Sequence, residues 1–262
     1  MSLINLSFAG AGRVAGALCR ELFSRGVSIL QVVSETAHDG RALSDACNAE
    51  WSAKLTFSDN NDIIIVAVPD QRLPGVLSEI KCNPRCIVAH TAGSFGIEVF
   101  PASIKRAGVL YPLQTFSKGR IIRFDDLPFL LEASDPGVAD KLQEIVALTG
   151  GKSYFLEAGK KKMAHLSAVF ANNFTNFMFT AAGEIAARAG ISFDLLVPLV
   201  QETVAKALEI GPGSSQTGPA IRNDHVTIKR HIELLSFSPE LQVLYREISR
   251  SIIEYYKQVD ND

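Results

Sequence analysis

Cysteine is scarce, with four in 262 residues, and no two form a Cys-x-x-Cys pair. Cys82 and Cys86 lie close together but lack the second Cys/His pair that zinc requires, so no metal site is expected. This sparse usage argues against a disulfide scaffold and fits reduced thiols in the cytosol. No secretory leader precedes the first apolar run, which supports the same cytoplasmic expectation. An excess of either charge is also missing. Residues 1–155 carry 15 Lys/Arg and 16 Asp/Glu, and residues 156–262 carry 11 and 12, so each part nets −1. Neither part has the basic surplus that a nucleic-acid backbone or an anionic membrane surface attracts. Internal repeats and low-complexity linkers are absent as well.

One uncharged run stands out, from Met163 to Gly183. It is long enough to span a bilayer. It also holds His165, Asn172, Asn173 and Asn176, each costly in lipid without a partner. The expectation is therefore a helix buried within protein, not a membrane span.

What is present is a globular composition, 47% hydrophobic and 21% charged, at a length that suits two domains. The first part alternates strand and helix patterns. Ile4–Ala9, Ser28–Val33, Asp62–Val68 and Cys86–His90 read as strands. Arg13–Arg25, Asp39–Ala49 and Leu73–Ile80 read as helices. Asp62–Val68 is almost wholly apolar and β-branched, as a parallel strand buried on both faces should be. Further strands are expected at Gly108–Tyr111, Phe129–Leu131 and Lys152–Leu156, with a helix over Asp135–Thr149. This order implies a doubly wound parallel α/β sheet with right-handed crossovers. After Leu156 only helical periods follow: Gly159–Ala189, Asp194–Glu209, Asp224–Leu235 and Pro239–Tyr256. The expected organisation is a dinucleotide-binding domain over residues 1–156 and an all-α domain over 157–262.

Gly10-Ala11-Gly12-Arg13-Val14-Ala15 is a G-x-G-x-x-A motif placed between a strand and a helix. The first glycine permits the tight turn, and the second admits a pyrophosphate to the backbone. The small third residue lets helix and strand pack closely. Free N–H groups and the helix dipole then meet the phosphates. The second strand ends at Ser34-Glu35-Thr36, where a ribose would be read. Glu35 can accept from both hydroxyls of an NAD ribose and would repel a 2′-phosphate. Ser34 and Thr36, with Arg13 or Arg41, can instead hold that phosphate. Glu35 is equally readable as a solvated surface charge. Val68-Pro69-Asp70 and His90-Thr91 end the next strands and should flank the nicotinamide half. His90 is readable either as a cofactor contact or as a core-edge histidine bonded to backbone.

The glycine motif, Ala67-Val-Pro-Asp70, His90-Thr-Ala-Gly93 and Tyr111-Pro-Leu-Gln-Thr-Phe116 occur in that order. Lys161-Lys-Met-Ala-His165, Asn172-Asn173 and Thr217-Gly-Pro219 follow. Over nearly the whole chain this resembles a family of Rossmann-like oxidoreductases with a helical C-terminal domain of unknown function. That family is similar to pyrroline-5-carboxylate reductases and the 6-phosphogluconate dehydrogenase-like group. The resemblance implies NAD(P), with a lean to NADP, and a homodimer made by the helical domains. Two positions depart from it. Tyr111 stands where the family usually has His, and Glu35 where an Arg is common, which leans to NAD. The cofactor is left as NADP or NAD.

Lys161, His165 and Asn172 recur at helical spacing, with Ala168 and Asn176 on the same stripe and Asn173 one step round. The related dehydrogenases pair a helix-borne Lys with an Asn four residues on, and His165 takes that second place here. A protonated Lys161 or His165 can supply the proton that a reduced C=O or C=N needs. Asn173 and Gln114 can orient a substrate, and Arg222 can clamp a carboxylate. Against this, Lys160–Lys162 reads equally as a solvated run, and His165 with the asparagines as a structural network. The leading expectation is an NAD(P)-dependent reductase or dehydrogenase acting on a small imine or 2-oxo/hydroxy compound. The alternative is a non-catalytic redox sensor or regulatory dimer that keeps only the nucleotide site.

Overall fold

The computed structural model describes residues 4–259. The first part is an eight-stranded sheet in the order β3-β2-β1-β4-β5-β6-β7-β8. The strands are β1 (Asn5–Ala9), β2 (Ser28–Val33), β3 (Glu50–Ser52), β4 (Ile63–Val66), β5 (Ile87–His90), β6 (Ala107–Pro112), β7 (Pro128–Ala133) and β8 (Lys152–Phe155). Helices α1 (Arg13–Ser24), α2 (Ala37–Ala46), α3 (Leu73–Glu79) and α4 (Pro136–Thr149) connect them.

Strand β4 shows why this sequence builds this sheet. Its side chains alternate between two apolar layers. Ile63 and Ile65 pack with Leu6, Phe8, Leu18 and Leu142. Ile64 and Val66 pack with Val33, Leu73, Leu77 and Val88. All four of its residues are buried, as the unbroken apolar run required.

The sheet differs from expectation in two places. Strand β7 runs antiparallel to β6, whereas the other pairs are parallel. No helix lies between them to make the crossover by which a chain usually returns in the parallel sense. Helix α4 then provides such a crossover to β8. Short β3 pairs with β2 beyond the end of α2, which stops at Ala46 rather than Ala49.

Local residues set the ends of these helices. Gly26 (φ +86°) and Gly150 (φ +79°) take the left-handed conformation after α1 and α4. Asp135 caps α4 by accepting from Val138 N at 3.0 Å.

The expected helix over Gly159–Ala189 is split. Helix α5 (Ala158–Ala168) runs into a six-residue π-helical turn, Val169–Phe174, before α6 (Thr175–Arg188). The wider turn shifts every later side chain round the axis, so the stripe drawn from Lys161 through Asn176 does not continue as one line. No residue from Met163 to Gly183 is buried in the single chain. Among the described residues no helix is long and apolar enough to cross a membrane.

The chain divides into two compact units, Met1–Asn173 and Phe174–Asp262, so α5 and most of the π turn belong with the sheet. The period change at Leu156 falls before this division because α5, though helical, packs on the sheet unit's loops. The second unit is helical: α6, α7 (Val197–Ile210), α8 (Pro212–Ser215), α9 (His225–Leu234) and α10 (Pro239–Val259). Asp224 caps α9 through Thr227 N at 3.0 Å. His231 Nδ1 and the Tyr245 hydroxyl share a hydrogen bond of 2.7 Å between α9 and α10. The Arg188 guanidinium lies 4.0 Å from the Phe237 ring centroid.

Candidate active site

The sheet's strand order turns back between β1 and β4, and a crevice opens outside their carboxyl ends. A cavity of about 980 Å³ lies there, lined by Gly10, Gly12, Ser34, Glu35, Val68 and Pro69 among others. Gly10 has φ +111°, and a Cβ on it would sit 2.3 Å from the Ala67 carbonyl oxygen. Only glycine can hold this turn. At Gly12 a Cβ would meet nothing within 4 Å, so that side of the backbone is open. Gly12 caps α1 without any side-chain hydrogen bond, leaving the helix N–H groups free for an anion. The residues present therefore fit a dinucleotide pyrophosphate.

At the end of β2, Trp51 Nε1 donates to Ser34 Oγ at 3.1 Å, and Ser34 Oγ donates to the Thr36 carbonyl at 2.9 Å. Arg41 stacks 4.7 Å from the Trp51 ring centroid. Glu35 is exposed and ion-paired with Arg72. Arg72 also lines the crevice, a residue the sequence reading did not single out. Its signal was the Val-Pro-Asp strand end two residues before it. Arg13 and Val14 open α1 beside the turn, at the surface and half-buried respectively.

Beyond β4, Asp70 is exposed and accepts from the Ser94 hydroxyl. His90 does not present its ring to the crevice. The ring is fully buried, its Nε2 bonds the Gly96 carbonyl at 3.2 Å, and its Nδ1 accepts from Ala92 N at 3.1 Å. Burial pushes its pKa down to about 4, so it is neutral. The backbone-bonded reading of His90 replaces the cofactor contact. Thr91 is likewise buried.

A second cavity, of about 650 Å³, is lined by Tyr111, Gln114, His165, Asn172 and Asn173 together with small and apolar residues. Three expected residues, His165, Asn173 and Gln114, thus meet here. His165 Nδ1 lies 2.9 Å from the Tyr111 hydroxyl, and the two rings are edge-on. The imidazole also presses on Gly93, where a Cβ would stand 2.3 Å from Nδ1. That glycine ends His90-Thr-Ala-Gly93, so α5 brings His165 to the carboxyl ends of β5 and β6.

Lys161 is placed differently from the expectation of a proton donor facing substrate. Its side chain is 0% exposed. Its ammonium donates to the Ala92 and Gly93 carbonyls at 3.2 and 3.3 Å and also to that of Phe95. Glu132 lies 3.7 Å away and accepts from Ile97 N at 3.1 Å. Burial lowers the Lys161 pKa, opposed by Glu132 and Glu98. Lysine here ties α5 to the loop after β5. Its neighbour Lys162 is exposed and pairs with Glu98 at 2.7 Å, holding that carboxyl at a pKa of about 2. Arg222, in the second unit, is exposed on the turn before α9.

The switch-point crevice, the glycine turn and the uncapped α1 define a dinucleotide-binding α/β protein. Residues 2–115 match the Rossmann-like domain family, and residues 127–252 match DUF2520, a domain of unknown function. A Bacteroides fragilis protein described as "putative NADP oxidoreductase BF3122" is 35% identical, with 96% of this chain and 98% of that one covered at a TM-score of 0.88. The chain belongs to this family of Rossmann-like proteins with a C-terminal DUF2520 domain. An imine reductase from Myxococcus stipitatus in complex with NADP+ shares the fold at 16% identity, 98% and 94% coverage and TM-score 0.66. So does a prephenate dehydrogenase from A. aeolicus in complex with hydroxyphenyl propionate and NAD+, at 14% identity, 99% and 97% coverage and TM-score 0.54. No curated protein matches the chain.

Proposed function

We propose that the protein is an NAD(P)-dependent oxidoreductase that reduces a small imine or 2-oxo compound, or oxidises the corresponding hydroxy compound. The observation that carries this reading is His165 lining a cavity at the carboxyl ends of β5 and β6, in the same unit as the glycine crevice. The names of the 35% identical relative and of the imine reductase point the same way.

Gly10, Gly12 and the α1 N-terminus would hold the pyrophosphate, with Glu35 and Arg72 toward the adenosine ribose. A bound nicotinamide supplies or takes the hydride. His165 supplies the proton that balances hydride addition to a C=O or C=N carbon. The amides of Asn173 and Gln114 orient the substrate. Both cofactors fit the β2 end: the Glu35 carboxylate can accept from ribose hydroxyls, and Arg72 can pair with a 2′-phosphate.

Two copies associate through the second unit in this reading. Phe177, Leu199, Val204, Leu208, Leu234 and Val243 are large apolar side chains left exposed there, more than a stable monomer usually shows. Arg222 then serves as a carboxylate ligand for substrate in the assembled dimer.

The test is NAD(P)H oxidation with a panel of cyclic imines and 2-oxo acids. His165→Asn is expected to keep nucleotide affinity and lose about 10²–10⁴ in turnover. Equal turnover in variant and wild type would remove His165 from the chemistry.

A further inference from the structure

The cavity holds a second polar ring that the proposed chemistry does not yet use. Tyr111 is the penultimate residue of β6, and its hydroxyl meets His165 on the edge carrying Nδ1, the same edge that presses on Gly93. Nε2 lies on the opposite side of the ring, and among the described residues nothing bonds it. A histidine's tautomer is set by the bond its other nitrogen makes. A carboxylate at Nδ1 accepts only, so it fixes Nδ1–H and leaves Nε2 as a base. A phenol both donates and accepts.

We propose that Tyr111 is a positioning residue that keeps a proton on Nε2 of His165 in both charge states of the ring. When the imidazole is neutral, the phenol donates to Nδ1 and the proton resides on Nε2. When it is an imidazolium, Nδ1–H donates to the phenol oxygen, and Nε2 still carries its proton. Reduction needs this polarity, because charge develops on the substrate oxygen or nitrogen as hydride arrives. The imidazolium passes its Nε2 proton to that atom, and the neutral ring left behind takes a proton back on Nε2 from solvent.

The groups around the pair favour a phenol that holds its own proton. Burial, with Asp70 second, raises the Tyr111 pKa. The Lys161 ammonium stands 5.9 Å from the Tyr111 ring centroid, but its protons are already given to the carbonyls of the loop after β5. Gly93 completes the arrangement, because no other residue allows the imidazole so close to that loop.

This inference rests on the reductase reading for its purpose but not for its test. The His165 tautomer is read by long-range 1H–15N NMR of the uniformly labelled full chain, with the signals assigned by their loss in His165→Asn. Wild type above the ring's titration is expected to show one tautomer, Nε2–H. Tyr111→Phe keeps the ring and its packing, and is expected to show mixed tautomers. An Nδ1–H wild type, or an unchanged tautomer in Tyr111→Phe, would overturn the proposal. With a cyclic imine that wild type reduces, Tyr111→Phe is expected to lose about 10- to 100-fold in kcat with nucleotide KM unchanged. Unchanged kcat would also overturn it. A wild type that reduces no probe defeats the reductase reading alone, since the spectrum decides the tautomer independently.

Discussion

Lys161→Met separates the two roles open to this lysine. The methionine keeps most of the apolar stem but removes the ammonium. The Ala92, Gly93 and Phe95 carbonyls then lose their shared donor. Glu132, 6% exposed and with Oε1 lacking any hydrogen bond, is left as an uncompensated charge. Removing one partner of a buried pair costs about 3–5 kcal/mol. At about 1–3 kcal/mol per molar urea, the unfolding midpoint should fall by about 1 M or more. Trp51, the sole tryptophan, lies in the first unit, so its fluorescence follows the unfolding of that unit. Adding Glu132→Gln to Lys161→Met removes the stranded charge and should restore much of the loss. A Lys161→Met protein with an unchanged midpoint and lost turnover would refute the structural role and return Lys161 to the chemistry.

Gly12→Asp puts a side chain and a negative charge on the open face of the glycine turn. NAD(P)H affinity by fluorescence titration should fall at least about tenfold, roughly 1.4 kcal/mol; unchanged affinity would place the nucleotide elsewhere. His90 is held neutral with a pKa of about 4 against an ordinary 6.5. Its unfolded form binds a proton between those values while the native form does not, so its contribution is complete above the higher one and is lost as pH falls toward the lower. That is about 3 kcal/mol across the window, and His90→Asn should flatten the urea midpoint against pH; parallel curves would show that the ring titrates normally. Leu208→Glu, on the exposed apolar face of α7, should convert a dimer to a monomer in sedimentation; a monomeric wild type would reject that assembly.

The sheet was legible because its signals are local. Apolar β-branched runs marked the strands, and Gly10 and Gly12 carry conformational demands that show in the residue names. The β6–β7 reversal does not show in either strand's own residues; its signal was the missing helix between Tyr111 and Phe129, which the parallel reading passed over. The π turn was missed because Val169–Phe174 holds no Gly or Pro to mark a break in the helical period. It matters at the site, since it decides which asparagines share a cavity with His165. Lys161 was legible as a special residue on the right helix, but its role was not. A lysine in a run of three reads as solvated or catalytic, and only tertiary packing shows carbonyls closing round one ammonium. The Tyr111–His165 bond joins residues 54 apart, a distance over which spacing carries no information.

The central claim is hydride transfer at the cavity holding His165. Its most direct test follows deuterium from NAD(P)H labelled at the nicotinamide C4 position into a reduced cyclic imine or 2-oxo acid, read by mass spectrometry. A product one mass unit heavier, formed by wild type and lost in His165→Asn while the nucleotide still binds, is the predicted result. Saturable nucleotide binding with no labelled product from any probe would contradict it and leave a nucleotide-binding protein without this chemistry.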